Sequence, residues 1–255
     1  MNIIGRSVLA ALMAVGSLVA MSVAHAQDDA AGRDIAQANN PLASATAFNI
    51  HNYYLGELTG TDEPGNQFWL RVAKPFSIGE TRWLMRASLP INTYPVPPSL
   101  DHETGLGDFN AFAAYLIDVG NPAISFGVGP LISAPTATKD ATGSGKWSAG
   151  LVNILFNATS PRFQYGYLLT WQASFAGQDD RADVNLGAFQ PLLIGQLGGG
   201  TYWRSTGIMN YDFENSTYNV PLGLGLGQVF KSGATIYNLF VEPQWSVASE
   251  GTGWP

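Results

Sequence analysis

The sequence predicts an all-β chain that folds as an antiparallel transmembrane β-barrel, and three observations support that prediction. These are an apolar–polar alternation along strands, few charged residues behind an export signal, and connections that alternate between long and short. Charged residues make up 12% of the chain and aromatic residues another 12%. Because soluble proteins are about one quarter charged, this composition fits a wall with one face in lipid.

The clearest alternation lies between Arg162 and Phe175. One face is aromatic or apolar and the other is mainly small or polar. The first contains Phe163, Tyr165, Tyr167, Leu169, Trp171, Ala173 and Phe175, and the second contains Arg162, Gln164, Gly166, Leu168, Thr170, Gln172 and Ser174. Alternation of this kind predicts a strand, longer here than the usual strand of about 5–6 residues. We expect lipid against the first face and a wet lumen against the second.

The beginning of the chain has the pattern of a cleaved export signal. A short head with Arg6 precedes an apolar run over 8–23, and Ala24-His25-Ala26 gives the small-x-small cleavage pattern. A membrane-anchor helix is the alternative, but the run is shorter than the roughly 20 residues that span a bilayer. No second run of this length follows. A mature chain in a membrane would therefore span it as a barrel.

The predicted organisation is a signal peptide over 1–26, a periplasmic N-terminal segment over 27–45 and a barrel domain over 46–255. Removing the signal leaves 11 basic and 19 acidic residues, a net charge of −8, which argues against nucleic-acid binding. The chain has no cysteine, so disulfides and thiol chemistry are excluded. We expect export to the outer membrane of a Gram-negative cell, with lipid and the barrel-assembly machinery as partners. A secreted soluble β-protein is the alternative.

The barrel domain contains eleven strand-like segments with connections of alternating length. The segments are 46–57, 67–78, 81–93, 107–118, 122–134, 146–157, 162–176, 184–197, 200–212, 217–230 and 234–247. The long connections are 60–66, 94–106, 135–145, 177–183, 213–216 and 248 onward. Bacterial barrels have short periplasmic turns and longer extracellular loops, so we expect the long, acidic connections outside the cell. Their carboxylates either hold divalent cations that bridge anionic lipid or are simply solvated.

Prolines interrupt six of these segments. They are Pro75, Pro90, Pro130, Pro191, Pro221 and Pro243. Proline cannot donate to a β-ladder and is normally excluded from paired strand interiors. We therefore expect these prolines at β-bulges, where one residue leaves the pairing and the strand bends.

The mature chain offers no recognisable catalytic arrangement. Its two histidines, His51 and His102, have no neighbouring acid–serine pattern, and G-x-S-x-G is absent. The segment 143–146 resembles a phosphate loop, but Asp140 stands where that motif requires glycine and Trp147 where it requires Ser or Thr. We predict no enzymatic activity, no cofactor and no metal site.

The inferred lumen faces carry the candidate functional residues. The lumen-lining candidates are Arg71, Arg82, Arg86, Asp108, Asn110, Gln164, Gln172, Asn238, Glu242 and Gln244. Arg71 shares its face with Trp69. Arginines on one side and acids on others place both signs across a pore, which orients dipolar solutes. The alternative is an internal salt-bridge network that closes the barrel, because about 11–12 strands lie between filled small barrels and open porins.

Several short motifs agree in order and spacing with one family. They are Leu106-Gly107-Asp108-Phe109, Gly127-Val128-Gly129-Pro130, Ala134-Pro135-Thr136-Ala137-Thr138, Gly143-Ser144-Gly145-Lys146-Trp147-Ser148-Ala149-Gly150, Trp171-Gln172-Ala173-Ser174-Phe175-Ala176-Gly177, Asp179-Asp180-Arg181-Ala182-Asp183-Val184-Asn185 and Val220-Pro221-Leu222-Gly223-Leu224-Gly225. From about Gln37 to its end, the chain resembles the outer-membrane β-barrel proteins labelled "MetA-pathway of phenol degradation", which are often misnamed neuromedin U. The resemblance implies an outer-membrane transporter of small solutes, aromatic or apolar compounds among them, and brings no catalytic residues.

The resemblance differs at the end of the chain. Similar proteins continue past a Trp-Pro step into a last strand with a terminal aromatic residue, the address that the assembly machinery reads, whereas this sequence ends at Trp254-Pro255. Because bacterial barrels have an even strand number, we expect a barrel of 12 strands of which 11 are present. An open seam about 10 Å wide should then separate 46–57 from 234–247. Unpaired backbone groups cost several kcal/mol in lipid, so we expect this chain not to insert as a stable monomer.

Two functions of different classes follow from these patterns. One is a passive channel or transporter for small solutes, aromatic or apolar compounds among them. The other is a structural or adhesive surface barrel with a closed lumen and cation-binding acidic loops. Bilayer conductance separates the two.

Overall fold

The computed structural model describes residues 17–19 and 45–251. These residues form one antiparallel β-sheet and one turn of 3-10 helix over Asp140–Thr142, so the prediction of an all-β fold is confirmed. Within them, no helix is long and apolar enough to cross a bilayer. The rest of the predicted signal peptide and N-terminal segment, over 1–16 and 20–44, lies outside the described residues.

Sixteen strands make up the sheet and are numbered in chain order. They are β1 (Ser17–Val19), β2 (Ala47–Leu58), β3 (Glu63–Ile78), β4 (Thr81–Val96), β5 (Asp101–Leu106), β6 (Phe109–Ile117), β7 (Ile124–Ala134), β8 (Lys146–Asn157), β9 (Phe163–Gly177), β10 (Asn185–Gly198), β11 (Thr201–Ser205), β12 (Met209–Asp212), β13 (Thr217–Gly223), β14 (Gly225–Ser232), β15 (Thr235–Val241) and β16 (Gln244–Glu250). Apart from β1, they occupy eleven consecutive places across the sheet, where a place is one strand position between its two neighbours. Four places each hold two successive strands, namely β5/β6, β11/β12, β13/β14 and β15/β16. The eleven predicted strands correspond to these places.

The connections form two ends of the sheet. The short-turn end has the connections 79–80, 118–123, 158–162, 199–200 and 233–234. The long-loop end has the connections 59–62, 97–100, 135–145, 178–184 and 213–216. The contrast in length is smaller than predicted, since 118–123 is longer than 97–100.

The second long connection is mostly a β-hairpin, which corrects the predicted loop over 94–106. β4 continues to Val96 and β5 begins at Asp101. Thr93 and Thr104 face each other across this hairpin, with their Oγ1 atoms 2.9 Å apart. Cross-strand threonine pairs stabilise antiparallel ladders, so the pairing continues beyond the predicted end of the strand.

The sheet divides into two arms beyond β10. Toward the short-turn end, β10 pairs with β11, and β14 and β15 follow. Toward the long-loop end, β10 pairs with β12, and β13 and β16 follow. The arms part at 206–208, at Leu224 and at 242–243, three interruptions that the registers place side by side.

The prolines lie beside interruptions in the ladders rather than at bulges. Pro75 lies beyond the part of β3 that pairs with β2. Pro90 lies between the part of β4 that pairs with β5 and the part that pairs with β6. Pro130 faces a gap in the pairing of β6 with β7, and Pro191 faces the gap between β11 and β12. A proline costs no hydrogen bond where the neighbouring strand offers no partner.

Of the remaining two prolines, only Pro221 lies at a predicted bulge. Pro221 coincides with a shift in the register of β13 against β16, whereas Pro243 separates β15 from β16. The bulge prediction is therefore wrong for the other five prolines. Each of these five prolines nevertheless lies where a ladder is interrupted.

The inner face of the sheet is apolar toward the short-turn end. Its buried cluster contains Ala73, Leu84, Phe112, Ala114, Leu131, Val152, Ile154, Phe156, Leu168, Leu192, Ile194, Tyr202, Val229 and Ile236. These side chains pack against one another as in an ordinary hydrophobic core. The expected wet lumen is therefore wrong for this half of the interior.

Two inner-face glycines permit the curvature of the sheet. A Cβ atom on Gly129 would lie 1.8 Å from the carbonyl oxygen of Ala113, and one on Gly150 would lie 1.8 Å from that of Trp171. Glycine within a strand allows another backbone to approach this closely. Neighbouring strands can thus bend toward the interior at β7 and β8.

The two ends of the sheet approach each other without joining. β2 and β15 do not pair with each other, so the sheet is not closed among the described residues. Across the seam, the rings of His51 and Phe240 meet edge to face with their centres 5.3 Å apart. β1, which falls within the predicted signal peptide, pairs with 236–238 of β15. The edge of β15 thus accepts a strand.

Candidate functional site: the charged interior

The polar residues of the inner face gather toward the long-loop end. Residues two apart in a strand share a face. In β4 the buried Leu84 is followed on that face by Arg86 and Asn92, and in β9 the buried Leu168 is followed by Gln172. The interior therefore changes from apolar to polar along the strands.

Glu242 is a buried carboxylate in the gap between β15 and β16. Its side chain is 3% exposed, and its Oε2 accepts a hydrogen bond from Nε of Arg204 at 2.7 Å. Oε2 also accepts from Oγ1 of Thr206 at 2.7 Å, and Oε1 accepts from the backbone N–H of Thr206 at 2.6 Å. This lumen-lining candidate thus neutralises one arginine and binds one backbone amide.

Thr206 lies in the gap between β11 and β12, where no strand ladder reaches its backbone. Its N–H donates to Glu242, and its C=O accepts from Nε2 of Gln190 at 3.0 Å. Its hydroxyl also accepts a hydrogen bond from Nη2 of Arg204 at 2.6 Å. Buried backbone groups need partners, and here side chains supply them in place of a strand.

Arg71 faces the interior from β3 and contacts two rings. Its Nη1 donates to Nδ1 of His51 at 2.9 Å, since an arginine can only donate. Its guanidinium carbon lies 4.6 Å from the ring centre of Trp69. The shared face of Arg71 and Trp69 therefore produces a cation–π contact.

Arg86 lies on β4, diagonally across from Arg71, whose direct partner is Ser88. Its guanidinium carbon lies 4.6 Å from the ring centre of Phe112. The Nε atoms of Arg71 and Arg86 are buried without a hydrogen-bond partner. Within residues 45–251, no carboxylate lies within ion-pairing distance of either side chain. An internal salt-bridge network does not include these two arginines.

A third arginine completes the charged group. The guanidinium carbon of Arg204 lies 3.8 Å from the ring centre of Phe240, the ring that His51 contacts across the seam. Arg71 donates a hydrogen bond to His51, and Arg86 lies diagonally across from Arg71. Arg204 and Glu242 line a small cavity together with His51. We name Arg71, Arg86, Arg204, His51 and Glu242 the arginine cluster; it holds three guanidinium groups and one carboxylate.

Two of the amide candidates lie among the apolar residues, away from this cluster. Gln164 is 2% exposed and accepts a hydrogen bond from Nε2 of Gln196 at 3.3 Å. Asn238 is 5% exposed and accepts from the hydroxyl of Tyr202. Both amides satisfy neighbouring polar groups within the packed half of the interior.

The other candidates have separate surroundings. Asn110 lies on the inner face of β6 opposite Ser88, and Gln172 lies on that of β9, where its Oε1 is buried without a partner. Arg82 is exposed at the short-turn end, where it lines a cleft of about 510 Å³ with residues 118–122. Gln244 lines a small cavity together with His51 and Glu242.

Asp108 anchors the longest connection to the rim of the sheet. Its Oδ1 accepts from the backbone N–H of Ala137 at 3.2 Å, and its Oδ2 accepts from the N–H and the hydroxyl of Ser144, each at 2.7 Å. This lumen-lining candidate therefore binds both ends of the loop over 135–145. Its hydrogen bonds show a structural role in the loop.

The same loop is bound at its middle. The buried Thr142 donates from Oγ1 to the carbonyl of Leu106 at 2.7 Å, and its own carbonyl accepts from Nδ2 of Asn92 at 3.0 Å. Arg181 donates from Nη2 to the carbonyls of Asp140 and Gly143. The 3-10 helix is thereby held against the inner edge of β4 and β5.

An ion pair joins two further parts of the long-loop end. Nζ of Lys146 lies 3.0 Å from Oδ1 of Asp183, and the hydroxyl of Ser174 donates to the same oxygen at 3.1 Å. Hydrogen bonds from Lys146 and then Ser174 lower the pKa of the Asp183 carboxyl below its usual value. Asp183 is well exposed, so the ion pair is screened by solvent.

Sequence reasoning missed Arg204 and Phe240. The segment Tyr202-Trp203-Arg204 allows either phase, because both faces contain an aromatic or a charged residue. The structure buries Tyr202 completely and stacks Trp203 on the exposed ring of Phe163, which turns Arg204 inward. An inward Glu242 without a predicted partner was the one available signal.

The fold and the interior define an all-β antiparallel sheet protein with a charged cluster inside. Among the described residues, no three His, Asp or Glu side chains come together as metal ligands. Comparison with protein-family models, with curated proteins and with solved structures found no match for this chain.

Proposed function

We propose that the chain is an outer-membrane β-barrel that serves as a channel or transporter for small solutes, aromatic or apolar compounds among them. The observation that carries this proposal is the outer face of the sheet. All eleven places expose large apolar or aromatic side chains, for example Leu70 at 42%, Leu151 at 60% and Leu239 at 49%. An exposed apolar patch of this extent is unusual for a soluble monomer and typical of a surface in contact with lipid.

Aromatic contacts on the outer face lie near both ends of the strands. Near the short-turn end, Trp83 contacts Phe76 and Tyr115, and Phe163 stacks on Trp203. Near the long-loop end, Tyr211 contacts Phe213 and Tyr218. Transmembrane barrels have an apolar band about 25 Å tall between two such aromatic girdles, so this distribution supports a bilayer-spanning wall.

Several polar side chains on the outer face have hydrogen-bond partners. Nδ2 of Asn153 donates to the carbonyl of Gly127 at 3.1 Å, and its Oδ1 accepts from the hydroxyl of Tyr167 at 2.8 Å. Nε1 of Trp171 donates to Oδ1 of Asn185 at 3.0 Å. Because lipid offers no hydrogen bonds to polar groups, these pairs fit a lipid-facing surface.

The interior supports a solute-handling role more than a purely structural one. Arg71 and Arg86 face inward, and residues 45–251 offer neither of them a carboxylate partner, whereas a closed structural barrel would neutralise its internal charges. The resemblance to transporters labelled for phenol degradation agrees with small solutes. Once the predicted signal peptide is cleaved and β1 is removed with it, the edges of β2 and β15 need partner strands in lipid.

The experiment expresses the chain in Gram-negative cells, separates the membranes and reconstitutes purified protein in liposomes. We expect the protein in the outer-membrane fraction with a mature N-terminus at Gln27, as an assembly in which partner strands cover the edges of β2 and β15, because the chain should not insert as a stable monomer. We expect the liposomes to swell in small neutral solutes. Release into the periplasmic fraction without detergent would overturn the membrane assignment. Inserted protein that passes neither solute nor current would overturn the transport assignment and favour a closed barrel.

A further inference from the structure

The positive charge inside the sheet exceeds the negative charge that the described residues place beside it. The arginine cluster contains three guanidinium groups, and its one carboxylate, Glu242, is engaged by Arg204. Arg71 and Arg86 face the same interior from adjacent strands. Like charges in neighbouring positions of one sheet face destabilise the sheet. This excess of positive charge among the described residues favours an anion beside Arg71 and Arg86.

The unused hydrogen-bond donors of the two arginines also favour an anionic ligand. Arg86 makes no side-chain hydrogen bond within residues 45–251, and Arg71 makes one, to His51. Both Nε atoms are buried without an acceptor. A buried charged donor without an acceptor is costly, and an oxyanion supplies two or more acceptor atoms at once. Both arginines are part-exposed to the interior, so an oxyanion can reach them.

The surroundings of Arg86 indicate what else the ligand carries. Its cross-strand neighbours Ala73 and Phe112 belong to the buried apolar cluster. Trp69, stacked on Arg71, adds a further ring at the same place. An anion held by the arginines would thus rest its remaining atoms on apolar and aromatic surface.

We propose that Arg71 and Arg86 bind the oxyanion group of a small organic anion, with its apolar body against Phe112 and the neighbouring apolar residues. This site deepens the proposed transport function, on which its physiological meaning rests, by assigning a charge class to the solute. His51 fixes one side of Arg71 by accepting its Nη1 hydrogen bond. Arg204 takes no part, because Glu242 already neutralises it.

The test is calorimetric titration of folded, detergent-solubilised protein at constant ionic strength. The probes are benzoate, acetate and inorganic phosphate, with benzyl alcohol as a neutral analogue of benzoate. We expect saturable binding of benzoate, weaker binding of acetate and none of benzyl alcohol. Phosphate bound more tightly than benzoate would overturn the apolar-body assignment, and absence of saturable binding for all three anions would overturn the site.

Variants locate the site. Arg71→Gln and Arg86→Gln should each weaken benzoate binding by roughly tenfold or more, since a hydrogen bond to a charged group contributes at least that factor. Arg82→Gln is the matched control: it removes the same charge from β4 at an exposed position and should change the affinity by no more than about twofold. Equal losses in all three variants would show general electrostatic attraction and overturn the assignment.

A second measurement needs no variant. Ligands that bind only the folded state raise its thermal midpoint, so benzoate should raise that of the wild-type protein while benzyl alcohol leaves it unchanged. Equal shifts with both compounds would contradict the site. Because the titrations involve no permeation, a protein that binds benzoate but passes no solute would retain the site and lose the transport function.

Discussion

The carboxylate of Glu242 accepts a hydrogen bond from the backbone N–H of Thr206 at 2.6 Å, across the break that divides the sheet beyond β10. The same carboxylate pairs with Arg204. One side chain thus neutralises a buried cation and supplies the hydrogen-bond acceptor that the interrupted ladder lacks. This double role makes Glu242 the residue whose loss should be felt most in the divided part of the sheet.

Replacing Glu242 by glutamine should lower the free energy of unfolding by about 3 kcal/mol, because it leaves a buried arginine without its counter-charge. The amide nitrogen of glutamine also cannot accept one of the hydrogen bonds from Thr206 or Arg204. Urea unfolding of the folded protein measures the change. Glu250→Gln, an exposed position in β16, is the control, and an equal effect in both variants would contradict this role.

The ion pair of Lys146 with Asp183 should make a pH-dependent contribution to stability. The pKa of the Asp183 carboxyl is lowered in the folded protein, so the contribution is present above the unfolded aspartate pKa of about 3.9. It is lost as the pH falls through the lower folded pKa. Wild-type protein should therefore exceed Asp183→Asn in stability at neutral pH, and the difference should vanish in strong acid.

Unfolding midpoints measured from neutral to acidic pH check this prediction. Asp180→Asn removes the same charge from the same loop without removing a hydrogen bond from Lys146. It should give a smaller difference at neutral pH. A difference between wild-type and Asp183→Asn that grows in acid would have the wrong sign for this ion pair.

Replacing Asp108 by asparagine should loosen the loop over 135–145. Asparagine keeps one acceptor oxygen where Asp108 uses two, so a hydrogen bond to Ala137 or Ser144 is lost. The exposed Lys139 lies between these anchors, and trypsin cleavage after it should become faster. Limited proteolysis with mass spectrometry gives the rate. Asp101→Asn, at the same end of the sheet, should leave cleavage after Lys139 unchanged.

Replacing Leu151 by arginine tests the lipid-facing surface directly. Leu151 lies on the outer face and is 60% exposed, so in water the change would be nearly neutral. In a bilayer, an arginine at mid-depth costs about 2–4 kcal/mol. The free energy of folding into liposomes should therefore become less favourable by that amount. Ser160→Arg, in an exposed connection at the short-turn end, is the control. Unchanged folding of Leu151→Arg in liposomes would argue against a lipid-facing β8.

The alternation of residues predicts the strands well where one face is polar and fails where both are apolar. In β9 the exposed Phe163 and Trp171 alternate with inward Gln164 and Gln172, and this alternation predicts the strand. In the second half of β8, the inward Val152 and Ile154 alternate with an exposed Leu151. Because such a run shows no apolar–polar alternation, it does not predict the packed half of the interior.

The sequence predicts which strand faces carry the charged residues of the interior, but not which of those residues contact each other. Inward positions for Arg71, Arg86 and Glu242 follow from strand parity. The pairing of Glu242 with Arg204 joins β11 to the gap between β15 and β16, which are distant in sequence, and it depends on the break at Thr206. No local pattern encodes such a break, which depends on three adjacent interruptions.

The division of the sheet beyond β10 has a mechanical consequence. A continuous antiparallel wall is stiff, because any relative displacement of its two ends must break ladder hydrogen bonds. Where the wall is split into two arms, one arm can tilt against the other while both ladders stay intact. The stiffness of that side then depends on contacts inside the split, among them those of the Glu242 carboxylate with Arg204 and Thr206. Compliance is thus concentrated on one side of the molecule, next to the seam and beside the arginines.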